Sequence, residues 1–322
     1  MVQQQAIRDY AQATANFFAG THRRPTWRKA GRDEGFRIVA LRTNDVRRLS
    51  RRVGEVHIPK VGWVRFRWSR PVPTGTKSCR ITKDRAGRWH VAFAYIPAAI
   101  DGPGSDKVVG IDRGITASAA LSTGELLHVP DLTAREQRRL ARLQRKLTRA
   151  RHGSGRRARA RLAAARLRAR ETDRRKDWAE KTSTRLVREF DAICVENVSI
   201  KGMTRSAKGS VERPGRNVRA KAGLNRSNCW GLLVRRLEEK APGRVHKVNP
   251  AYTSQRCAAC GKVDPKSRKS QAVFACTACG YACHADVNAA RNIAAGHAVT
   301  ARGGFRSAGP VNREPQLVLV LA

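Results

Sequence analysis

The sequence predicts an α/β protein, and three observations carry that reading. Short apolar runs, each long enough for one buried strand, recur at "KVVGID", "DAICVE" and "RVHKV". Between the first two lies a long basic segment with leucines at helical spacing. Ahead of them, residues 53–96 alternate apolar or aromatic with basic residues in the two-residue period of strands. Strands interleaved with long helices are the pattern of a layered α/β architecture.

Composition narrows the partner. The 322 residues carry 66 Lys and Arg against 25 Asp and Glu, a formal net charge of +41. That length favours more than one domain. So large an excess, spread along the whole chain, calls for a polyanion, and nucleic acid is the partner it fits. An anionic membrane surface fits less well, because no basic helical stretch has a continuous apolar face. No run approaches the roughly 18 apolar residues of a membrane span, and the start "MVQQQAIRDYAQATANFF" lacks a secretory apolar core. The expectation is a cytoplasmic, nucleoid-associated protein with no membrane partner, where stable disulfides are rare.

Taken in order, residues 1–45 read as a short helical piece, with Ala6, Tyr10, Ala13 and Phe17 at helical spacing, followed by a basic loop with Pro25 and Trp27. "WVRFRW" and the two runs flanking "DRAG" read as strands of a small basic sheet or barrel. "DGPGSD" is a linker into "KVVGIDRG", a buried strand that ends at Asp112 and turns at Gly114. "TASAALS" and "ELLHV" continue it as a meander. Residues 133–190 are helical, with 21 Lys and Arg against 7 Asp and Glu from Asp131 to Phe190. Gly153 and Gly155 break them into a hairpin, and Leu140, Leu143 and Leu147 form a packing stripe. "DAICVENVSI" is a second buried strand, ending at Glu196. Residues 201–226 are a mobile basic loop. Ser227 caps a helix to about Ala241, and "RVHKVNP" is a third strand, stopping at Pro250.

Cys257-x2-Cys260, fifteen residues, then Cys276-x2-Cys279 is the four-cysteine zinc pattern. Each knuckle sets two thiolates on one side of a tight turn, and two knuckles complete a tetrahedron. Gly261 and Gly280 follow the second cysteines, where the turn needs freedom in φ. Two disulfides are the alternative reading. Four thiolates leave no open position, so such a Zn2+ is structural. Cys283 and His284 are reserve ligands, more simply read as packing residues. Cys79, Cys194 and Cys229 are isolated and read as buried apolar residues.

Three acids stand apart from the rest. Asp112 and Glu196 each end a buried strand, and Asp286 opens a helix whose face carries Ala289, Ala290 and Ile293 at i+3, i+4 and i+7. Singly, each is most simply a turn or cap residue. Together, two strand-borne acids and one from a following helix are what a two-metal nuclease requires. Mg2+ prefers hard carboxylate oxygens, and paired ions can activate water and stabilise the leaving oxygen of a phosphodiester.

"GIDRG", then "ICVEN", then "YTSQRCAACG…CTACGYACHADVNAARNI" resembles the TnpB family of transposon-encoded, RNA-guided nucleases related to the type V CRISPR effectors. The likeness runs over roughly residues 40–297 and is most specific in the C-terminal third. It implies a RuvC-like (RNase H-like) nuclease domain at 106–256, with a basic helical hairpin inserted at about 131–190. It implies a zinc ribbon at 257–283, a final nuclease helix at 284–300 and a disordered tail at 301–322. Residues 46–105 become a wedge-like β domain that grips guide RNA. Residues 1–45 become a remnant of a helical recognition region, which in family members is usually longer and preceded by a strand. The resemblance also implies that Asp112, Glu196 and Asp286 are a catalytic triad binding Mg2+, and that Cys257, Cys260, Cys276 and Cys279 bind zinc.

The expectation is therefore an Mg2+-dependent, RNA-guided DNA endonuclease of an insertion sequence, with DNA and guide RNA as partners. The alternative is a relative of the same fold that binds RNA or DNA without cutting. A strand-joining transposase ranks last, because its tyrosine nucleophile works beside a His-x-His pair that this chain lacks.

Overall fold

The computed structural model describes residues 2–26, 34–114, 117–198 and 229–302, with positions 215 and 218 isolated between them. The basic loop expected at 201–226 lies outside the described residues apart from those two positions, as do Ser227 and the tail beyond residue 302. The chain divides into two compact units, residues 1–98 with 131–174 and residues 99–130 with 175–322.

Among the described residues, the first unit opens with α1 (Val2–Phe18) and holds six short strands. These are β1 (Gly35–Ile38), β2 (Val46–Arg48), β3 (Val53–Ile58), β4 (Gly62–Arg67), β5 (Cys79–Lys83) and β6 (Trp89–Phe93). They make two antiparallel sheets, β1-β5-β6 and β2-β3-β4. Both contribute to one core of Ile38, Val56, Ile58, Cys79 and Ile81, flanked by Phe66 and Phe93. β1 falls within residues 1–45, where the sequence predicts a helical piece and a basic loop and no strand. Four residues are too few to show a period, and β1 exists through its pairing, with Gly35 opposite Thr82 and Ile38 opposite Cys79.

The expected hairpin is present as α2 (Ala134–Arg149) and α3 (Gly155–Glu189). Thr133 and Glu136 form a reciprocal cap at the start of α2. Glu136 also pairs with Arg174, at 2.6 Å, which closes the hairpin. The division into units falls within α3, and residues 131–174 group with the two small sheets. Arg88, beside the β5–β6 turn, donates to Asp173 at 2.6 Å and makes one of the ties.

The second unit is built on a five-stranded mixed sheet, joined by helices as expected of an α/β protein. Its strands are β7 (Val108–Asp112), β8 (Ala119–Leu121), β9 (Leu126–Leu127), β10 (Ala192–Glu196) and β11 (Val245–Val248), in the order β11-β10-β7-β8-β9. β10 runs parallel to both β7 and β11, and β7-β8-β9 is an antiparallel meander. Two further helices, α4 (Trp230–Lys240) and α5 (Ala285–Arg302), pack on it. A small two-stranded sheet, β12 (Val273–Ala275) with β13 (Ala282–His284), precedes α5.

Strand alternation sorts the side chains. Val109, Ile111, Ile193 and Val195 share a core with Leu186, Leu233 and Leu237 of α3 and α4. The intervening residues point to the other face, where Cys194 and Val248 meet Ile293 of α5. Gly110 lies on this second face. A Cβ there would fall on the Ala290 carbonyl oxygen and 2.5 Å from the Ala294 nitrogen. The same alternation sends Asp112 and Glu196 toward α5. Cys79, Cys194 and Cys229 are all buried, as expected.

Arg244 ties the far end of this unit. Its guanidinium donates to the carbonyls of Ile100, Val187, Phe190 and Asp191 at 2.5–3.0 Å, satisfying the open carbonyl end of α3. Replacing it would strand several of those acceptors. Arg244→Ala is expected to cost about 2–4 kcal/mol in denaturant unfolding. Among the described residues, no helix is long and apolar enough to cross a membrane.

Candidate functional site

The three acids come from three elements of the second unit. In the parallel pairing of β7 with β10, Val195 lies opposite Ile111. Asp112 and Glu196 are therefore the next step along adjacent strands, which run about 4.8 Å apart. Asp286 sits in the first turn of α5, and α5 packs against β7 and β10. Asp286 is buried, only 2% exposed.

Burial and like charge set the electrostatics. Asp112 is pushed up to about 7, first by burial and then by Glu196 and Asp286. Arg268 and the backbone amide of Arg113 oppose that shift. Glu196 and Asp286 therefore both lie near enough to Asp112 to raise it, and the three acids are gathered at one end of the sheet.

Each carboxylate is held differently. Glu196 Oε1 accepts a 2.7 Å hydrogen bond from the Thr253 hydroxyl. The carbonyl of Glu196 accepts from the buried Arg113 guanidinium, which links the ends of β10 and β7. Asp286 Oδ1 accepts from Arg268 at 3.2 Å. Its amide donates to His284 Nδ1. Asp286 Oδ2 is buried and has no hydrogen-bond partner. It lies beside Gly114, where a Cβ would come within 3.2 Å of it. An orphaned carboxylate oxygen facing space that only glycine leaves open is what a hard divalent cation fits.

Arg268, Thr253 and Arg113 were not singled out from the sequence. Arg268 carried no signal, being one of 66 basic residues. In metal-free protein, Arg268→Gln removes a cation that lowers Asp112. The Asp112 carboxyl is then expected to titrate above its value of about 7, read by carboxyl NMR.

The cysteine cluster is compact. The ligand atoms of Cys257, Cys260, Cys276 and Cys279 all lie within 4.8 Å of one another, a group that could hold a metal ion. The sulfurs of Cys257 and Cys279 are 3.7 Å apart and those of Cys260 and Cys276 are 3.6 Å apart. Metal–sulfur bonds of about 2.3 Å in a tetrahedron require about 3.8 Å. Gly261 and Gly280 adopt φ of +78° and +72°, as the knuckles require. Backbone amides of Cys279 and Ala278 pull the Cys276 thiol down to about 6. Cys283 stands outside the group and directs its thiol to the His284 carbonyl. His284 instead accepts from Asp286, so neither reserve residue is placed as a ligand.

Two family models match the chain. One, described as "Cas12f1-like, TNB domain", matches residues 230–293, and one, described as "Probable transposase", matches residues 100–207. The chain is 36% identical to the "Putative RNA-guided DNA endonuclease InsQ" of Escherichia coli (strain K12), over 97% of this chain and 78% of that protein. It is also 36% identical to a "Putative RNA-guided DNA endonuclease" of Streptomyces pristinaespiralis, over 93% of this chain and 72% of that one. Among solved structures, a Cas12f1–sgRNA–target DNA complex aligns with a TM-score of 0.44 at 16% identity, over 81% of this chain and 59% of that one. With such identity sustained over nearly its whole length, the chain belongs to the TnpB (OrfB) family, the group of InsQ and its relatives.

Proposed function

We propose that the protein is an RNA-guided, metal-dependent DNA endonuclease of an insertion sequence, with a RuvC-like nuclease domain and a zinc ribbon. The observation that carries this reading is the convergence of Asp112, Glu196 and Asp286 from separate elements, with a buried Asp286 oxygen left unpartnered. Family membership and the +41 charge support guide RNA and target DNA as partners. The two small basic sheets of the first unit are the wedge-like part on this reading, and the hairpin offers a basic rail to phosphates.

Mg2+ would be held by Asp112, Glu196 and Asp286, where it supplies Lewis-acid activation of water and stabilises the leaving oxygen. The chain's own part is to hold three mutually repelling carboxylates in place. Arg113 fixes the end of β10, Thr253 holds the Glu196 carboxylate, and Arg268 restrains Asp286. Zn2+ would occupy the four cysteines, closed to substrate, and fix the approach of α5.

The test is cleavage of DNA complementary to the RNA that co-purifies with the protein, in Mg2+. Asp112→Ala is expected to lower the rate roughly a thousandfold or more, with RNA binding unchanged. Equal cutting by wild type and variant would overturn the metal-site reading. Binding without cutting by the wild type would select the cleavage-deficient alternative.

A further inference from the structure

The segment between Pro250 and the first knuckle is made of turns, with Arg256 bridging to Val263, and side-chain amides tie it to α5. Asn288 is fully buried in the second turn of α5. Its Nδ2 donates to the Arg256 carbonyl at 2.7 Å, and its Oδ1 accepts from the Ala258 amide at 3.0 Å. Ala258 lies inside the Cys257–Cys260 knuckle. One turn later, Asn292 uses both Nδ2 protons, one on the Arg256 carbonyl at 2.7 Å and one on the Thr253 carbonyl at 2.9 Å. Thr253 is 8% exposed. Its hydroxyl has one proton and two acceptors in reach, Glu196 Oε1 at 2.7 Å and the Pro250 carbonyl at 3.0 Å. The nearer and charged carboxylate takes it.

These bonds form one connected path from the cysteine knuckle, through Asn288 and Asn292, to Thr253 and so to Glu196. We propose that Thr253 is a positioning residue for Glu196, and that the Asn288–Asn292 pair holds it in place from the helix that also carries Asp286. Asp286 and Glu196 are then referenced to the same clip, one through the chain and one through hydrogen bonds. Asp112 is placed by its own strand. The inference rests on the metal-site reading above and adds to it what sets the Glu196 carboxylate. Residues that orient a metal-binding carboxylate act on ion affinity before they act on chemistry.

The experiment reads divalent-ion binding directly. Mn2+ alone is titrated into nucleic-acid-free protein and followed by electron paramagnetic resonance, with zinc content and melting temperature measured alongside. Thr253→Val keeps the side-chain volume and removes the hydroxyl. It is expected to weaken Mn2+ binding roughly ten- to a hundredfold, with zinc content and melting temperature unchanged. Thr253→Ser restores the hydroxyl and is expected to bind within about twofold of wild type, which a purely packing role for Thr253 would not produce. Asn292→Ala, which frees the Thr253 carbonyl, is expected to weaken Mn2+ in the same direction. Wild-type Mn2+ affinity in Thr253→Val overturns this inference and leaves the metal site standing. A wild type that takes up no Mn2+, or takes it up equally well as Asp112→Ala, overturns the metal-site reading and this inference with it.

Discussion

If the four-cysteine clip holds zinc as proposed, stripping it, by chelation or by Cys276→Ser, is expected to unfold residues 257–284 and abolish DNA cutting. The clip has little else to hold it. Its strands are three residues each, and its core is Cys257, Phe274, Cys276 and Ala285, flanked by Tyr281 and Cys283. Two-stranded sheets are marginal by themselves, whereas zinc binding to such a unit contributes on the order of 10 kcal/mol. Loss of the clip removes the wall that carries Arg268 and the knuckle amide that Asn288 holds. Asp286, the first acid beyond the clip, loses its fixed approach. Backbone NMR of the ribbon and a cleavage assay check both parts. Full cutting by zinc-free protein would refute the structural role.

The second large effect is on stability. Asp112→Asn is expected to stabilise the metal-free protein at pH 8 while eliminating cutting. Folding raises the Asp112 carboxyl from its ordinary 3.8 to about 7. A carboxyl raised on folding favours the folded state fully only below its unfolded value, and that contribution is lost as pH rises through its folded value. At pH 8 the wild type therefore carries a half-buried, repelled charge. Asparagine removes it without changing the shape. The gain is on the order of 2–3 kcal/mol, discounted from the full shift because the half-buried side chain is screened in part by solvent. The gap should narrow as pH falls from 7 toward 4, and Mg2+ should narrow it at pH 8 by binding the folded wild type. Melting curves at several pH values, with and without Mg2+, check this. A gap that does not vary with pH would contradict it.

Much of this was legible in the sequence for a physical reason. The strands ending at Asp112 and Glu196 are buried on both faces, so they read as continuous apolar runs with an acid at the end. The cysteines have a spacing that metal geometry dictates, and their clustering follows it. What the sequence hid depends on tertiary placement. β1 is held by its partner strand, not by its own period. Residues 131–174 group with the small sheets through contacts such as Arg88 with Asp173, between positions 85 apart that no local pattern links. Arg268 was one cation among many. Asn288 and Asn292 did leave a trace, as two amides one turn apart in a helix of small apolar residues, where neither is favoured without a partner.

Gly110 decides a dimension of the site through the side chain it lacks. The strand bearing Asp112 and the helix bearing Asp286 meet at this position, backbone against backbone. Neither surface can yield, because a peptide carbonyl and amide cannot rotate out of the way as a side-chain tip can. One added methyl would act as a shim, lifting the helix off the sheet and widening the gap between two acids that it never touches. In a saturation library scored for cutting, this column should look as unforgiving as the acids themselves, though nothing chemical happens there.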